Sequence, residues 1–204
     1  MTWQAETPRI ILASASVTRS ALLTASGLRF EAIAADVDEA EIKRSARAEG
    51  LDATETALLL AEMKALRLAR RNPDAVVIGC DQMLVCGEDW FDKPANGDAA
   101  RVQLQSLRGR SHTLVTAVLC QRGGTRLWHH VATPKLRMRQ FSDAFVDAYL
   151  DAEGDAVTST VGGYRLEGLG ANLFDSIEGE HAAILGVPLL ALLGFLRQHG
   201  VLKV

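Results

Sequence analysis

Short apolar runs rich in β-branched residues recur along the chain, and between them lie longer stretches in which apolar positions return every three or four residues. The first pattern predicts buried strands, and the second predicts helices that pack by one face. Strands are expected over residues 10–13, 30–34, 75–78, 111–121, 125–140 and 173–177, with a glycine-rich strand-like segment over 161–168. Residues 18–26 read as a helix stopped by Gly27, and Asp36, Asp38 and Glu39 open another that runs to about residue 49. Asp52 and Glu55 have the spacing of a capping box for a helix over 52–71, which Asn72-Pro73 ends. Asn96 and Ser142 cap two more, and Val187-Pro188 leads into an apolar helix that stops at His199-Gly200. Gly123-Gly124 is a hairpin turn, so residues 125–140 should return as one long strand with Leu136 and Met138 inward. Strands and helices mix in both halves, which indicates one α/β unit with two lobes around a cleft.

The most informative stretch is 75–94. Its apolar run ends at Gly79, Asp81 is expected at the strand end, and a turn at Gly87-Glu88-Asp89 should bring Lys93 back towards that carboxylate. Two readings stand: an acid and a base in one cleft, or a surface Asp with a bridging Lys. Ser14 and Ser16 lie in a turn after the first strand, and Arg19 lies in the first turn of the next helix. Free N–H groups, two hydroxyls and a guanidinium make an anion cradle there. The plainer alternative is Ser16 as an N-cap with Arg19 in solvent. Glu39 is either a dipole-stabilising residue of a first turn or an acid facing a cation. Lys64 interrupts the apolar face formed by Ala57, Ala61 and Leu68, so its ammonium either has an anionic partner or runs out to the rim.

At 204 residues and 48% hydrophobic content, the chain has enough apolar material for a sizeable core. A net charge of -3 argues against a surface for bulk nucleic acid or anionic membrane, so any anion site must be local. Three cysteines without a C-x-x-C pair suggest neither a disulfide framework nor a thiolate metal site, and a reducing compartment is expected. No signal peptide and no membrane span is expected either, which makes the cytoplasm the default location. His129 and His130 are adjacent on a strand and point to opposite faces, which makes them a poor metal pair. Gly168-Leu169-Gly170 does not open a helix and is not a dinucleotide fingerprint, and no G-x-x-x-x-G-K loop occurs.

Four motifs stand in order along almost the whole chain: Ser14-Ala-Ser16-Val-Thr18-Arg19, Leu60-Ala-Glu-Met-Lys64-Ala, Gly79-Cys-Asp81-Gln82 with Lys93-Pro94, and Gly163-Tyr164-Arg-Leu-Glu167-Gly168. With Asp36-Val-Asp-Glu39 and Gly186-Val-Pro188 they resemble the Maf family of nucleoside triphosphate pyrophosphatases. The resemblance implies one domain over 1–204, with residues 1–9 as a flexible extension. It also implies an elongated mixed β-sheet flanked by helices, similar to inosine triphosphate pyrophosphatase, and a homodimer. The implied reaction cleaves a nucleoside triphosphate between its α and β phosphates, with Mg2+ or Mn2+ as cofactor. By the same resemblance Asp81 takes the proton of the attacking water, Ser14, Ser16, Arg19, Lys64 and Lys93 hold the triphosphate, and Glu39 is a further acid. Asp81 either takes that proton itself or, with Glu39, holds the metal that acidifies the water.

The chain departs from the usual family pattern at three points. Ser16-Val17-Thr18-Arg19 stands where Ser-Pro-Arg-Arg is usual, Gln82 where the thymidine- and uridine-preferring branch has Thr, and Glu167 where that branch has Gln. The last two changes are similar to the branch acting on 7-methyl-GTP, whereas Thr18 stands where that branch carries an aromatic residue. The nucleobase therefore stays open among these residues, Thr18, Gln82 and Glu167. A reading from another class is a nucleotide-binding regulator of cell division with little or no turnover. The intact Asp81, Lys64 and Lys93 favour the enzyme.

Overall fold

The computed structural model describes residues 3–203. In chain order the elements are β1 (Ile10–Ala13), α1 (Val17–Ala25), β2 (Glu31–Ala32), α2 (Glu39–Ala48), α3 (Ala53–Ala69), β3 (Val76–Cys86), β4 (Asp89–Phe91) and α4 (Gly97–Leu107). There follow β5 (Ser111–Arg122), β6 (Thr125–Ala132), β7 (Lys135–Met138), α5 (Asp143–Glu153), β8 (Phe174–Glu178), α6 (His181–Ile184) and α7 (Leu189–Gln198). Helix starts follow the expected chemistry. Asp52 and Glu55 form the complete capping box of α3, and Ser16, Asp38, Asn96 and Ser142 each accept a backbone N–H at the start of their helix.

The eight strands form one mixed sheet in the order β2-β1-β3-β5-β7-β8, with β4 added to β3 and β6 to β5. β1 pairs parallel with β2 and β3, and the remaining pairs are antiparallel. Alternation along β3 divides the core. Val76, Ile78 and Cys80 pack with α1 and α7 residues such as Leu23, Leu192 and Phe195, while Val77 and Met83 pack with Ala57, Leu60, Ala61 and Ala65 of α3. Further along the same strand Leu84 and Cys86 join a third core with α4 and α5, built on Leu104, Val146, Tyr149 and Leu173. Among the described residues β3 and β5 are the strands that reach from the first two cores to the third, and the site lies where they cross from one to the other.

The structure differs from the sequence expectations at several elements. The single strand over 125–140 is two strands, because Pro134 has no N–H to continue the ladder; its carbonyl accepts from Leu114 N at 3.0 Å. The glycine-rich segment over 161–168 is not a strand: Gly162 and Gly163 have φ of +81° and +69°, and they form a tight turn against α4. A Cβ on Gly163 would stand 3.1 Å from that of Ala100. The strand over 30–34 shrinks to two residues, and α6 was not anticipated. Within the expected flexible extension, Gln4 is buried and its side chain exchanges hydrogen bonds with the backbone of Arg29 at 2.7 and 2.9 Å. Ala5 N donates to Val201 O at 2.9 Å. Residues 1 and 2 lie outside the described residues.

Candidate active site

Asp81 is not at a strand end. It sits in the middle of β3, but at the end of β3's neighbour: pairing with β1 stops at Ala13 opposite Gly79, and pairing with β4 begins only at Leu84 opposite Phe91. Residues 80–83 are therefore open on that edge, while β5 continues along the other. A cleft of about 900 Å³ opens at this gap. Ser14, Ser16, Thr18, Arg19, Glu39, Lys64, Asp81, Gln82, Lys93 and Glu167 all line it, so the residues named from the sequence as candidate catalytic or binding groups meet one cavity.

On the α3 side of the sheet, Lys64 reaches Asp81. Its Nζ lies 2.6 Å from Asp81 Oδ1 and 2.6 Å from Glu39 Oε1. The ammonium does not run out to the rim: the Lys64 side chain is 9% exposed and that of Asp81 5%. Asp81 Oδ2 is buried and has no hydrogen-bond partner among the described residues. Burial pushes the Asp81 carboxyl above the usual Asp range, against the opposing pull of Lys64 and Arg19. Glu39 differs. Burial acts to raise it, but Lys64, with Lys43 and Lys93, outweighs burial and holds it below the usual Glu range.

Arg19 closes the open edge of β3. Its Nη1 donates to the carbonyl of Cys80 at 3.1 Å, a group that no strand pairs there, and its Nε donates to the carbonyl of Gly186 at 3.0 Å. Gly186 has a φ of +103°, and a Cβ there would meet Arg19 Nε at 2.9 Å, so only glycine lets the guanidinium lie against this turn. Ser16 does act as the N-cap, accepting from Arg19 N at 3.3 Å, but Arg19 is not in solvent. Ser14 Oγ accepts from Ser16 N at 3.1 Å and lies 3.4 Å from Arg19 Nη1. Lys93 is exposed on the cleft wall and makes no hydrogen bond or ion pair among the described residues.

Lys43, which the sequence reading missed, also lines the cleft, with its ammonium paired to Asp92. It stands one helical turn after Glu39, and the i, i+4 spacing was the available signal. The carbonyls of α6 and the turn after it were missed as well. Ala183 O and Ile184 O each lie 3.0 Å from Gln82 Nε2, and Ala183 O also accepts from Thr116 Oγ1 at 2.9 Å. Thr116 stands directly opposite Gln82 in the ladder and receives its amide at 2.9 Å. An amide nitrogen surrounded by acceptors leaves the Gln82 oxygen as its free end.

Thr18 Oγ1 donates to Glu167 Oε1 at 3.3 Å, which joins α1 to the turn after Tyr164. Arg165 Nε lies 3.7 Å from the same carboxylate, and its Nη1 pairs with Glu153 at 3.2 Å. Thr18 and Glu167 are thus in contact, whereas Gln82 is held by a different element. Behind this wall Tyr164 OH lies 2.8 Å from Nε2 of the buried His112.

Two carboxylates, a bridging ammonium and a guanidinium at one gap in a sheet can hold a polyphosphate and remove a proton. The likeness to known proteins agrees with this chemistry. The family model described as Maf-like protein matches residues 9–199. A nucleoside triphosphate pyrophosphatase of Granulibacter bethesdensis is 56% identical over 96% of this chain and 100% of its own length. One of Paramagnetospirillum magneticum is 50% identical over 94% of this chain and 99% of its own. A 7-methyl-GTP pyrophosphatase of Brucella abortus is 42% identical over 94% and 96%. Among the described residues no helix is long and apolar enough to cross a membrane.

Proposed function

Because the chain belongs to the Maf-like family, we propose that it is a nucleoside triphosphate pyrophosphatase, which hydrolyses the bond between the α and β phosphates to a monophosphate and pyrophosphate. The observation that supports this most is Asp81: a carboxylate buried at the open edge of β3, with one oxygen on Lys64 and the other without a partner. A base in that setting binds a proton more tightly than a free Asp, which suits it to accept one from an attacking water. Arg19, Lys64 and Lys93 offset charge on the phosphates, and Ser14 supplies a hydroxyl beside Arg19. The departing pyrophosphate carries most of the developing charge, so positioning and neutralisation supply most of the rate.

Magnesium or manganese fits the carboxylates present. No group of three or more His, Cys, Asp or Glu side chains suited to a metal occurs among the described residues. Magnesium, however, takes one or two carboxylates together with phosphate oxygens. Asp81, with its unpartnered Oδ2, and Glu39 are that donor set. Such a cation would supply charge neutralisation at the phosphates and a more acidic water. Glu167 and the oxygen of Gln82 are acceptors on the wall, and they favour a base with adjacent N–H donors, as in guanine.

The test is pyrophosphate release by the purified protein from 7-methyl-GTP, GTP, dTTP and UTP with magnesium. Turnover of at least one is expected, and Asp81→Asn should lower kcat by about 10² or more while leaving the fold intact. No pyrophosphate from any of the four, or wild-type turnover by the Asn variant, overturns the proposal.

A further inference from the structure

We propose that Lys64 occupies the cation position of the ligand-free protein, so that a divalent metal enters the site only together with the triphosphate that draws the ammonium away. This rests on the reading of the cleft as a nucleoside triphosphate site. The geometry is direct. One Nζ stands 2.6 Å from an oxygen of each carboxylate that would ligate a metal, Glu39 Oε1 and Asp81 Oδ1. A magnesium ion bonds such oxygens at about 2.0–2.1 Å, so it would stand almost where the ammonium stands, and a metal and an ammonium cannot share that point.

The surroundings make the exchange conditional. Lys64 comes from the buried face of α3, between Ala61 and Ala65 on one side and Leu68 on the other, and its side chain is 9% exposed. A metal alone would displace this ammonium from both of its carboxylates, with neither left to pair it, and a buried unpaired charge is costly. A triphosphate alone would pull Lys64 from two carboxylates and leave Asp81, buried and already short of one partner, facing an anion. With both present, Glu39 and Asp81 would hold the metal, and the ammonium would find a phosphate oxygen beside Arg19 and Lys93, so that neither the carboxylates nor the ammonium is left unpaired. The free site is thereby kept neutral enough to fold, and metal and nucleotide bind with strong mutual dependence.

Manganese binding measured by electron paramagnetic resonance tests this without turnover. The wild type in the absence of nucleotide should show no site tighter than about 1 mM. Lys64→Met, which vacates the position, should tighten Mn2+ binding at least about tenfold, whereas Lys93→Met, which removes a nearby charge but vacates nothing, should gain less than about threefold. Should Lys64→Met fail to fold, the wild type still decides. Its affinity for a non-hydrolysable α,β-imido triphosphate should rise at least about tenfold when Mn2+ is added. A tight Mn2+ site in the free wild type, no gain in a folded Lys64→Met, an equal gain in Lys93→Met, or a nucleotide affinity indifferent to Mn2+ each overturns the proposal. Pyrophosphate release by the same wild-type preparation is read separately, and its absence would refute hydrolysis while leaving the Mn2+ comparison intact.

Discussion

The carbonyl oxygen of Ala61 stands 2.2 Å from where a Cβ on Gly79 would be. The two residues fix the distance between α3 and β3. Gly79 and Asp81 lie on the same face of β3, and Ala61 lies one turn before Lys64 on α3, so this approach is what lets an ammonium and a carboxylate meet at 2.6 Å. Gly79→Ala should push the helix outwards, since backbone cannot yield as a side chain does. A loss of about 1–3 kcal/mol or more is expected from overpacking, together with a fall in kcat. Urea unfolding with pyrophosphate assays checks it, and a variant with native stability and turnover would show that α3 moves freely at that point.

Lys93 separates function from stability. It is exposed, and no hydrogen bond or ion pair among the described residues engages it. Lys93→Ala should leave stability within about 0.5 kcal/mol, the scale of an uninvolved surface change. The same variant should lower kcat/KM for a triphosphate at least about tenfold, because a cation facing the phosphates is removed. Thermal melts and initial rates on one preparation decide between this role and a bystander on the wall.

Base preference is expected to rest on Gln82 and Glu167. With its nitrogen held by Thr116, Ala183 and Ile184, Gln82 offers an oxygen, and Glu167 is an acceptor when ionised. Both suit adjacent N–H donors of guanine better than a pyrimidine with one N–H between two carbonyls. A mismatched donor or acceptor pair in such a pocket discriminates strongly. We expect kcat/KM to rank 7-methyl-GTP or GTP above dTTP and UTP, and the double variant Gln82→Thr with Glu167→Gln to shift the ranking towards pyrimidines. An unaltered ranking in the variant would remove both residues from base selection.

His112 predicts an acid limit on stability. Burial lowers its pKa from 6.5 to about 4, and among the described residues its Nδ1 has no partner while its Nε2 meets Tyr164. Between these two values the unfolded chain takes up a proton that the folded chain refuses, so stability falls as pH drops from about 6.5 to about 4. A shift of this size corresponds to roughly 3 kcal/mol over that window. Urea unfolding from pH 7 to pH 4 should show the decline, and His112→Gln, which cannot titrate, should flatten that part of it.

The sequence by itself determined the helix starts and most of the elements, and it singled out residues that share one cleft, because caps and stripes are written in local chemistry. Caps such as Asp52 with Glu55, and stripes such as Ala57, Ala61 and Leu68, act between residues a few positions apart. The lysine inside that stripe was visible as a charge on an apolar face, which either had an anionic partner elsewhere or ran out to the rim. Which partner depended on pairing between distant strands. That β1 ends beside Gly79 and leaves Asp81 on an open edge, that Glu39 joins the same ammonium, and that Gln82 turns its nitrogen to carbonyls of α6 all follow from register. Register is set by contacts far apart in the chain, and a one-residue slip would have moved Asp81 to the opposite face. The glycines at 162 and 163 illustrate the limit: their sequence allows both an extended strand and a tight turn, and packing against Ala100 of α4 selects the turn.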